Sequence, residues 1–289
     1  MLGDEQGRTY TGSSQVWFTP TTGQAIAMVK ADAGIAYHDL LPIGSGTATV
    51  RFTTGDFGAS ATVIAGATVV NRSKLGPQMA LVAPATNHLS GLSRTSRMLV
   101  SIYGTGLTDP GQFSAPGLPL PSTLGGTTLN LSGQPVGIIY ASPTQINAVL
   151  PDNVPPYGLL NLTRSAGSHS LGIVFQESQP SLFTANGRGT GALAAQKADY
   201  SALSTSNPAR PDEVIIIYGT GLGVNSSRVV ATIAGQRALV HYAGPAPGFA
   251  GLDQFNIQVP ATAPEGDAIA VQIDVNGRST NIGTVPVRH

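Results

Sequence analysis

Two glycine-rich motifs are the first candidates for chemistry in this chain. Residues Ile102–Leu107 read Ile-Tyr-Gly-Thr-Gly-Leu, and the same six residues recur at Ile217–Leu222. Glycine loops bind phosphate when their backbone N–H groups meet it at the start of a helix. The second motif is followed by Val229–Ile233, a run rich in β-branched residues that favours a strand. We therefore predict that both Gly-Thr-Gly motifs form turns after a strand and bind no nucleotide.

The ionisable side chains are few and scattered. The five histidines are never spaced as metal ligands are, and no pair among the 15 carboxylates is spaced for acid–base catalysis. His38 has Asp39 beside it, but adjacent residues of a strand point to opposite faces. No Gly-x-Ser-x-Gly sequence presents a nucleophilic serine, and the chain has no cysteine. These observations predict a non-enzymatic protein without a metal or cofactor.

The aromatic residues offer an alternative in a different class of function. Trp17, Phe18, Tyr157, Tyr242 and Phe249 could stack on sugar rings if they lay on the surface, although aromatic side chains are more often buried. Trp17 and Phe249 are the two candidate glycan contacts. A carbohydrate-binding or adhesion module is therefore the alternative to a structural protein.

The composition narrows the class of protein. The chain has 289 residues, 36 glycines, 21 prolines, 10% charged residues and a net charge of zero. A neutral chain has no field to attract nucleic acid, and we expect no such partner. No apolar run reaches the length that spans a bilayer, so no membrane span is expected. Met1–Gln6 lacks the features of a signal peptide, which predicts a removed signal, a piece of a longer chain, or an internal protein.

The positions of strands and turns predict an all-β fold. Short runs rich in Val, Ile, Thr and Tyr recur between turn residues, as in sandwiches and barrels. Asn276-Gly277 predicts a type I′ hairpin turn, because both central residues of that turn need positive φ. Residues Asp274–Gly277 resemble the start of a calcium-binding loop, but the downstream acidic ligand is missing, so the hairpin turn is favoured. The predicted strands are Ala25–Val29, Thr47–Phe52, Ala59–Ala65, Met98–Tyr103, Gly137–Tyr140, Leu159–Thr163, Val214–Tyr218, Val229–Ile233 and Ala268–Val275.

The repeat extends beyond the Gly-Thr-Gly motifs. Gln145-Ile146-Asn147 matches Gln254-Phe255-Asn256, and Ser132-Gly133-Gln134 matches Ala234-Gly235-Gln236. The matching residues of the first motif pair are 115 residues apart, and self-similarity at such a period indicates a duplicated small domain. Because the shared residues include no acid, base and nucleophile set, the repeat predicts architecture. The expected organisation is a β-rich block at 1–95, a first repeat at 96–180, an ordered connector at 181–211 and a second repeat at 212–289.

Several motifs from Met98 to the C-terminus carry a family resemblance. They are the segments 102–107, 118–126, 142–147, 179–184, 207–209, 217–223 and 242–249. With these segments the chain resembles an uncharacterised C-terminal domain family of secreted acidobacterial proteins, which is similar to the IPT/TIG branch of immunoglobulin-like β-sandwiches. The resemblance implies tandem immunoglobulin-like sandwiches and a secreted or cell-surface location, and it implies no activity. Val224–Arg228 is shorter than the insertion expected there.

The N-terminal block resembles the closing half of another sandwich of the same kind of protein, at Tyr37–Pro42 and Val69–Gln78. Its opening strands are missing from the pattern, which predicts a partial or short β-sandwich with an open sheet edge. An open edge can pair with a strand from another chain. The predicted self-association contacts are Thr9, Tyr10, Val16, Trp17 and Phe18.

These observations together predict an extracellular or cell-surface structural protein that acts as a scaffold or a self-assembling fibre subunit. Three alternatives stay open beside it. The first is the carbohydrate-binding or adhesion module, with a polysaccharide as partner. The second is a spacer from a longer secreted protein, and the third is an uncharacterised hydrolase.

Overall fold

The computed structural model describes residues 76–86 and 93–289 with their side chains, and in residues 1–75 it describes the backbone of seven strands. The chain forms two compact units, Met1–Gly76 and Pro77–His289. Every regular element in the described part of the chain is a strand. The strands are β1 (Leu2–Gly3), β2 (Thr9–Tyr10), β3 (Ser14–Pro20), β4 (Ala27–Ala31), β5 (His38–Pro42), β6 (Gly46–Thr54), β7 (Ala61–Val69), β8 (Gln78–Pro84), β9 (Ser93–Arg94), β10 (Leu99–Thr105), β11 (Phe113–Ser114), β12 (Thr123–Leu124), β13 (Thr127–Leu131), β14 (Gln134–Pro135), β15 (Gly137–Ala141), β16 (Gln145–Val149), β17 (Tyr157–Arg164), β18 (Gly167–Phe175), β19 (Ser181–Leu182), β20 (Ala195–Lys197), β21 (Val214–Thr220), β22 (Val229–Ile233), β23 (Gln236–Pro245), β24 (Asp253–Gln258), β25 (Gly266–Val275), β26 (Arg278–Ser279) and β27 (Gly283–Val287).

The N-terminal unit contains three small antiparallel sheets. β1 pairs with β2, β4 pairs with β5, and β6 lies between β3 and β7. β6 and β7 pair along their whole length, from Gly46 opposite Val69 to Thr54 opposite Ala61. The predicted strand at Thr47–Phe52 lies within β6, and the one at Ala59–Ala65 overlaps β7 from Ala61. Among the described strands, β3 is an edge of its sheet.

The first sandwich, formed by residues 77–86 and 93–178, packs two sheets face to face. One has the strand order β11-β15-β16-β10-β8, and the other has β12-β13-β17-β18-β9. Alternating residues of β13 and β17, such as Leu129, Leu131, Leu160 and Leu162, are fully buried between the sheets. Strand β8 pairs with β10, so residues 78–84 belong to this sandwich. The sequence had assigned them to the N-terminal block, with a boundary at residue 95.

The second sandwich, residues 179–289, repeats the plan with one continuous strand shared by its two sheets. β23 pairs with β24 through its C-terminal half and with β22 through its N-terminal half. Ile215, Ile217, Phe255 and Ile257 form the buried interior with residues of the facing sheet. β19 and β20 both pair with β21, so two segments of the predicted connector at 181–211 are strands of this sandwich.

Two-residue turns occupy matching positions in the two sandwiches. Ser132-Gly133 and Ala234-Gly235 both have positive φ at both residues, 48° and 86° in the first and 53° and 74° in the second. Asn276-Gly277 has φ of 53° and 83° and connects β25 to β26. The type I′ turn predicted from Asn-Gly is confirmed. Antiparallel sheets packed in pairs and duplicated in this way are tandem immunoglobulin-like β-sandwiches.

Candidate functional site

The two Gly-Thr-Gly motifs lie at the ends of β10 and β21, where the chain passes very close to another backbone. A Cβ on Gly104 would overlap the carbonyl oxygen of Gln78, and a Cβ on Gly221 would overlap that of Gln179. Gly221 also has a φ of 92°, which disfavours any side chain. No helix follows either motif in the described residues. Glycine is therefore required here because two backbone segments approach closely, and the motifs lack the helix that phosphate binding needs.

Thr220, inside the second motif, joins the two sandwiches. Its hydroxyl accepts a hydrogen bond from the backbone N–H of Leu99 in the first sandwich at 2.8 Å, and donates one to the carbonyl of Gly251 at 2.7 Å. Thr220 is fully buried. A Cβ on Gly251 would lie 2.8 Å from the Val149 side chain, so the loop before β24 also packs tightly on the first sandwich.

A second group of buried hydroxyls and amides joins the sandwiches farther along the junction. The Thr86 hydroxyl donates to Ser181 Oγ at 2.6 Å, and Ser181 Oγ donates to Asn281 Oδ1 at 3.1 Å. The Ser178 hydroxyl donates to the carbonyl of Val275 at 3.1 Å. Because buried hydrogen bonds have directional geometry, this set fixes one orientation of the sandwiches.

Asp253 is a buried carboxylate at the same junction and is 7% exposed. Burial raises its pKa to about 6, while the backbone N–H of Leu222 and the charge of Arg97 act in the opposite direction. The Leu222 N–H donates to Asp253 Oδ2 at 2.8 Å. In the first sandwich the matching N–H, that of Leu107, donates instead to the backbone carbonyl of Pro143 at 3.0 Å. No sequence motif marks Asp253 as functional, because a single acid in a strand has none.

The repeated Gln-x-Asn residues lie on the outer face of each sandwich. Gln145 Nε2 donates to Asn147 Oδ1 at 2.9 Å, with Tyr103 opposite Gln145 and Tyr140 opposite Asn147. The second sandwich has the same arrangement. Its members are Gln254, Asn256, Tyr218 and Tyr242. A bulge precedes Tyr140 and Tyr242 alike. These repeated side chains connect neighbouring strands, which agrees with the architectural role predicted from the sequence.

A groove of about 720 Å³ lies where the two sandwiches meet. Its lining mixes carboxylates, amides, a hydroxyl and proline rings, and includes Ser132, Asp152, Asn153, Pro156, Glu177 and Asn225. Among the described residues no group of three His, Cys, Asp or Glu could hold a metal ion. The part of the chain described here also contains no helix long and apolar enough to cross a membrane.

Most residues predicted as contacts lie outside the described side chains. Thr9 and Tyr10 form β2, and Val16, Trp17 and Phe18 belong to β3, where the backbone alone is described. The predictions of self-association and of a Trp17 glycan contact therefore stay predictions. Phe249, the other predicted glycan contact, lies between β23 and β24 and is 66% exposed.

Comparisons with known proteins found distant structural likenesses. No family model matches the chain, and no curated protein matches it. A similar structure is SGBP-B of the mixed-linkage glucan utilization locus of Bacteroides ovatus, solved with a mixed-linkage heptasaccharide, at 12% identity and a TM-score of 0.35. The match covers 95% of this chain and 61% of that one.

Two further structures illustrate the range of the likenesses. The surface glycan-binding protein PbSGBP-B of Prevotella bryantii is 10% identical over 71% of this chain and 41% of that one, with a TM-score of 0.24. The I9-I11 tandem of titin is 10% identical over 96% and 89%, with a TM-score of 0.22. Likenesses at TM-scores this low carry no argument. The fold is therefore assigned from the strands and sheets of this chain.

Proposed function

We propose that this chain is a non-enzymatic structural module of a secreted or cell-surface protein, in which two immunoglobulin-like sandwiches form one rigid scaffold. The observation that supports this most directly is the buried polar junction around Thr220. Tandem domains move relative to each other by default unless their interface is extensive and well packed. Here hydroxyls, backbone groups and glycine contacts from both sandwiches interlock, so we expect the pair to transmit force and orientation as a single body.

Thr220→Val tests the junction. The substitution keeps the shape of the side chain but leaves the Leu99 N–H and the Gly251 carbonyl without their buried partner. We expect a loss of about 1–3 kcal/mol in the free energy of unfolding, measured by denaturant titration. Thr262→Val is the matched control, because its hydroxyl bonds to Gln236 on the exposed surface. Equal and small losses in both variants would contradict a stabilising junction.

We also propose self-association through the edge of β3. An edge strand presents unpaired N–H and C=O groups to which a strand of a second copy can add. Deleting Thr9–Phe18 should abolish regular assemblies seen by electron microscopy and the corresponding mass in solution. Phe249→Ala, which removes an exposed aromatic side chain elsewhere, should leave assembly intact. A monodisperse monomer of the parent chain, or assemblies that survive the deletion, would reject this contact.

A further inference from the structure

The outer face of the sheet β12-β13-β17-β18 carries a continuous uncharged polar surface, named here the asparagine face. Strand alternation places its members on one side of the sheet, away from the leucine core. At one end of this face lie Tyr157, Leu159 and Val174, which are 61%, 42% and 43% exposed. The polar members are Thr123, Thr128, Asn130, Asn161, Thr163, Ser168 and Ser170.

Tyr157 lies across the backbone of β18. A Cβ on Gly172 would lie 2.9 Å from Tyr157 Cζ and 3.1 Å from Cε2, so the ring occupies the space that a side chain would fill. An aromatic ring that covers a strand glycine can stabilise the sheet. The ring is nevertheless more than half exposed, which leaves an aromatic surface open to solvent.

Amides and a hydroxyl extend from this ring along the sheet. Asn161 Nδ2 donates to Asn130 Oδ1 at 3.0 Å, and Ser170 Oγ donates to Asn161 Oδ1 at 2.6 Å. Amides both donate and accept, which matches sugar hydroxyls that also do both.

The charge of the face restricts the ligand. None of the ten positions from Thr123 to Val174 named above is acidic or basic. Nucleic acids and anionic lipids require cationic side chains, and protein interfaces of useful size require a larger apolar centre than one tyrosine with two aliphatic neighbours. An uncharged ligand with an apolar ring face and many hydroxyls fits this surface best.

We infer that the asparagine face binds a neutral polysaccharide, with a pyranose ring stacked on Tyr157 and its hydroxyls bonded to the Asn130, Asn161 and Ser170 side chains. The face continues toward the groove at the junction, because Ser132 lines that groove and accepts a hydrogen bond from the Leu159 N–H at 3.1 Å. A glycan chain can therefore extend beyond one sugar ring. This inference does not depend on the scaffold function.

Affinity electrophoresis of the full chain tests the inference, with gels that contain hydroxyethyl cellulose, mixed-linkage β-glucan, xylan or galactomannan. We expect at least one of these neutral polymers to retard the parent protein. Tyr157→Ala should weaken that retardation about tenfold, whereas Tyr157→Phe, which keeps the ring, should retain it. Asn130→Ala should also weaken it while Tyr157 stays in place.

The control variant is Phe249→Ala, which removes another exposed aromatic ring and should leave retardation unchanged. Circular dichroism of each variant verifies its fold. Absence of retardation in all four gels would overturn the inference. So would retardation that persists in Tyr157→Ala or is lost in Phe249→Ala, because the site would then lie elsewhere.

Discussion

Gly221→Ala should be among the most destabilising single substitutions in this protein, with an expected loss of about 3 kcal/mol or more in the free energy of unfolding. The new Cβ would overlap the carbonyl oxygen of Gln179 and lie 3.2 Å from Met98 Cε at the junction. The backbone would in addition hold an alanine at a φ of 92°. Overpacking and left-handed strain each cost on the order of 1–3 kcal/mol, and backbone atoms cannot move aside easily.

Gly235→Ala separates the two causes. Gly235 also has positive φ, at 74°, but an added Cβ there would meet no atom within 4 Å. We expect a loss of about 1 kcal/mol, the strain alone. Denaturant unfolding of both variants beside the parent measures the difference. If the two substitutions cost the same, the close approach of the Gln179 backbone to Gly221 is not what requires glycine.

The second large effect is a pH dependence from Asp253. Because burial raises the pKa of Asp253 to about 6, the folded protein holds a proton between its ordinary value of 3.8 and 6 that the unfolded chain has released. Stability must then fall as pH rises through this window and level off above about pH 6. The full pKa difference corresponds to about 3 kcal/mol. Unfolding titrations at intervals from pH 4 to pH 7.5 measure it.

Asp253→Asn should remove this slope. Asparagine keeps an oxygen to accept the Leu222 N–H but cannot ionise, so the variant should match the parent at pH 4 and exceed its stability at pH 7.5. The control is Asp199→Asn, at an exposed site where hydrogen bonds from Ser201 lower the pKa. Because its pKa is lowered, Asp199 makes the fold more stable as pH rises, and it does so at a lower pH than the window of Asp253. Its replacement should therefore leave the slope in place. A parent without the slope would contradict a buried, ionising Asp253.

Local features of the fold followed from the sequence because their causes are local. Asn276-Gly277 dictates its own turn, and β-branched runs such as Val229–Ile233 form strands where they were predicted. The boundary at residue 95 was misplaced because β8 is assigned by its pairing with β10, and a pairing partner leaves no local signal.

The candidate site needed the structure for the same reason. Thr220 and Leu99 are 121 residues apart, and although Thr220 belongs to a Gly-Thr-Gly motif, nothing in the sequence pairs it with Leu99. Tyr157 was noted as an aromatic residue, but its outward orientation follows from the register of β17 with β18 and from the missing side chain at Gly172. The repeated residues were more informative about architecture, since the duplicated Gln-x-Asn pairs form the same hydrogen bond in both sandwiches.

The most direct test of the rigid scaffold is a pulsed electron spin resonance distance between the sandwiches. The chain has no cysteine, so spin labels at Ser114→Cys and Ala268→Cys, both exposed, attach at those two sites alone. The scaffold predicts one narrow distance distribution in the full chain and a broader one after Thr220→Val. A broad distribution in the parent would show that the sandwiches move independently, and the proposed function would fail.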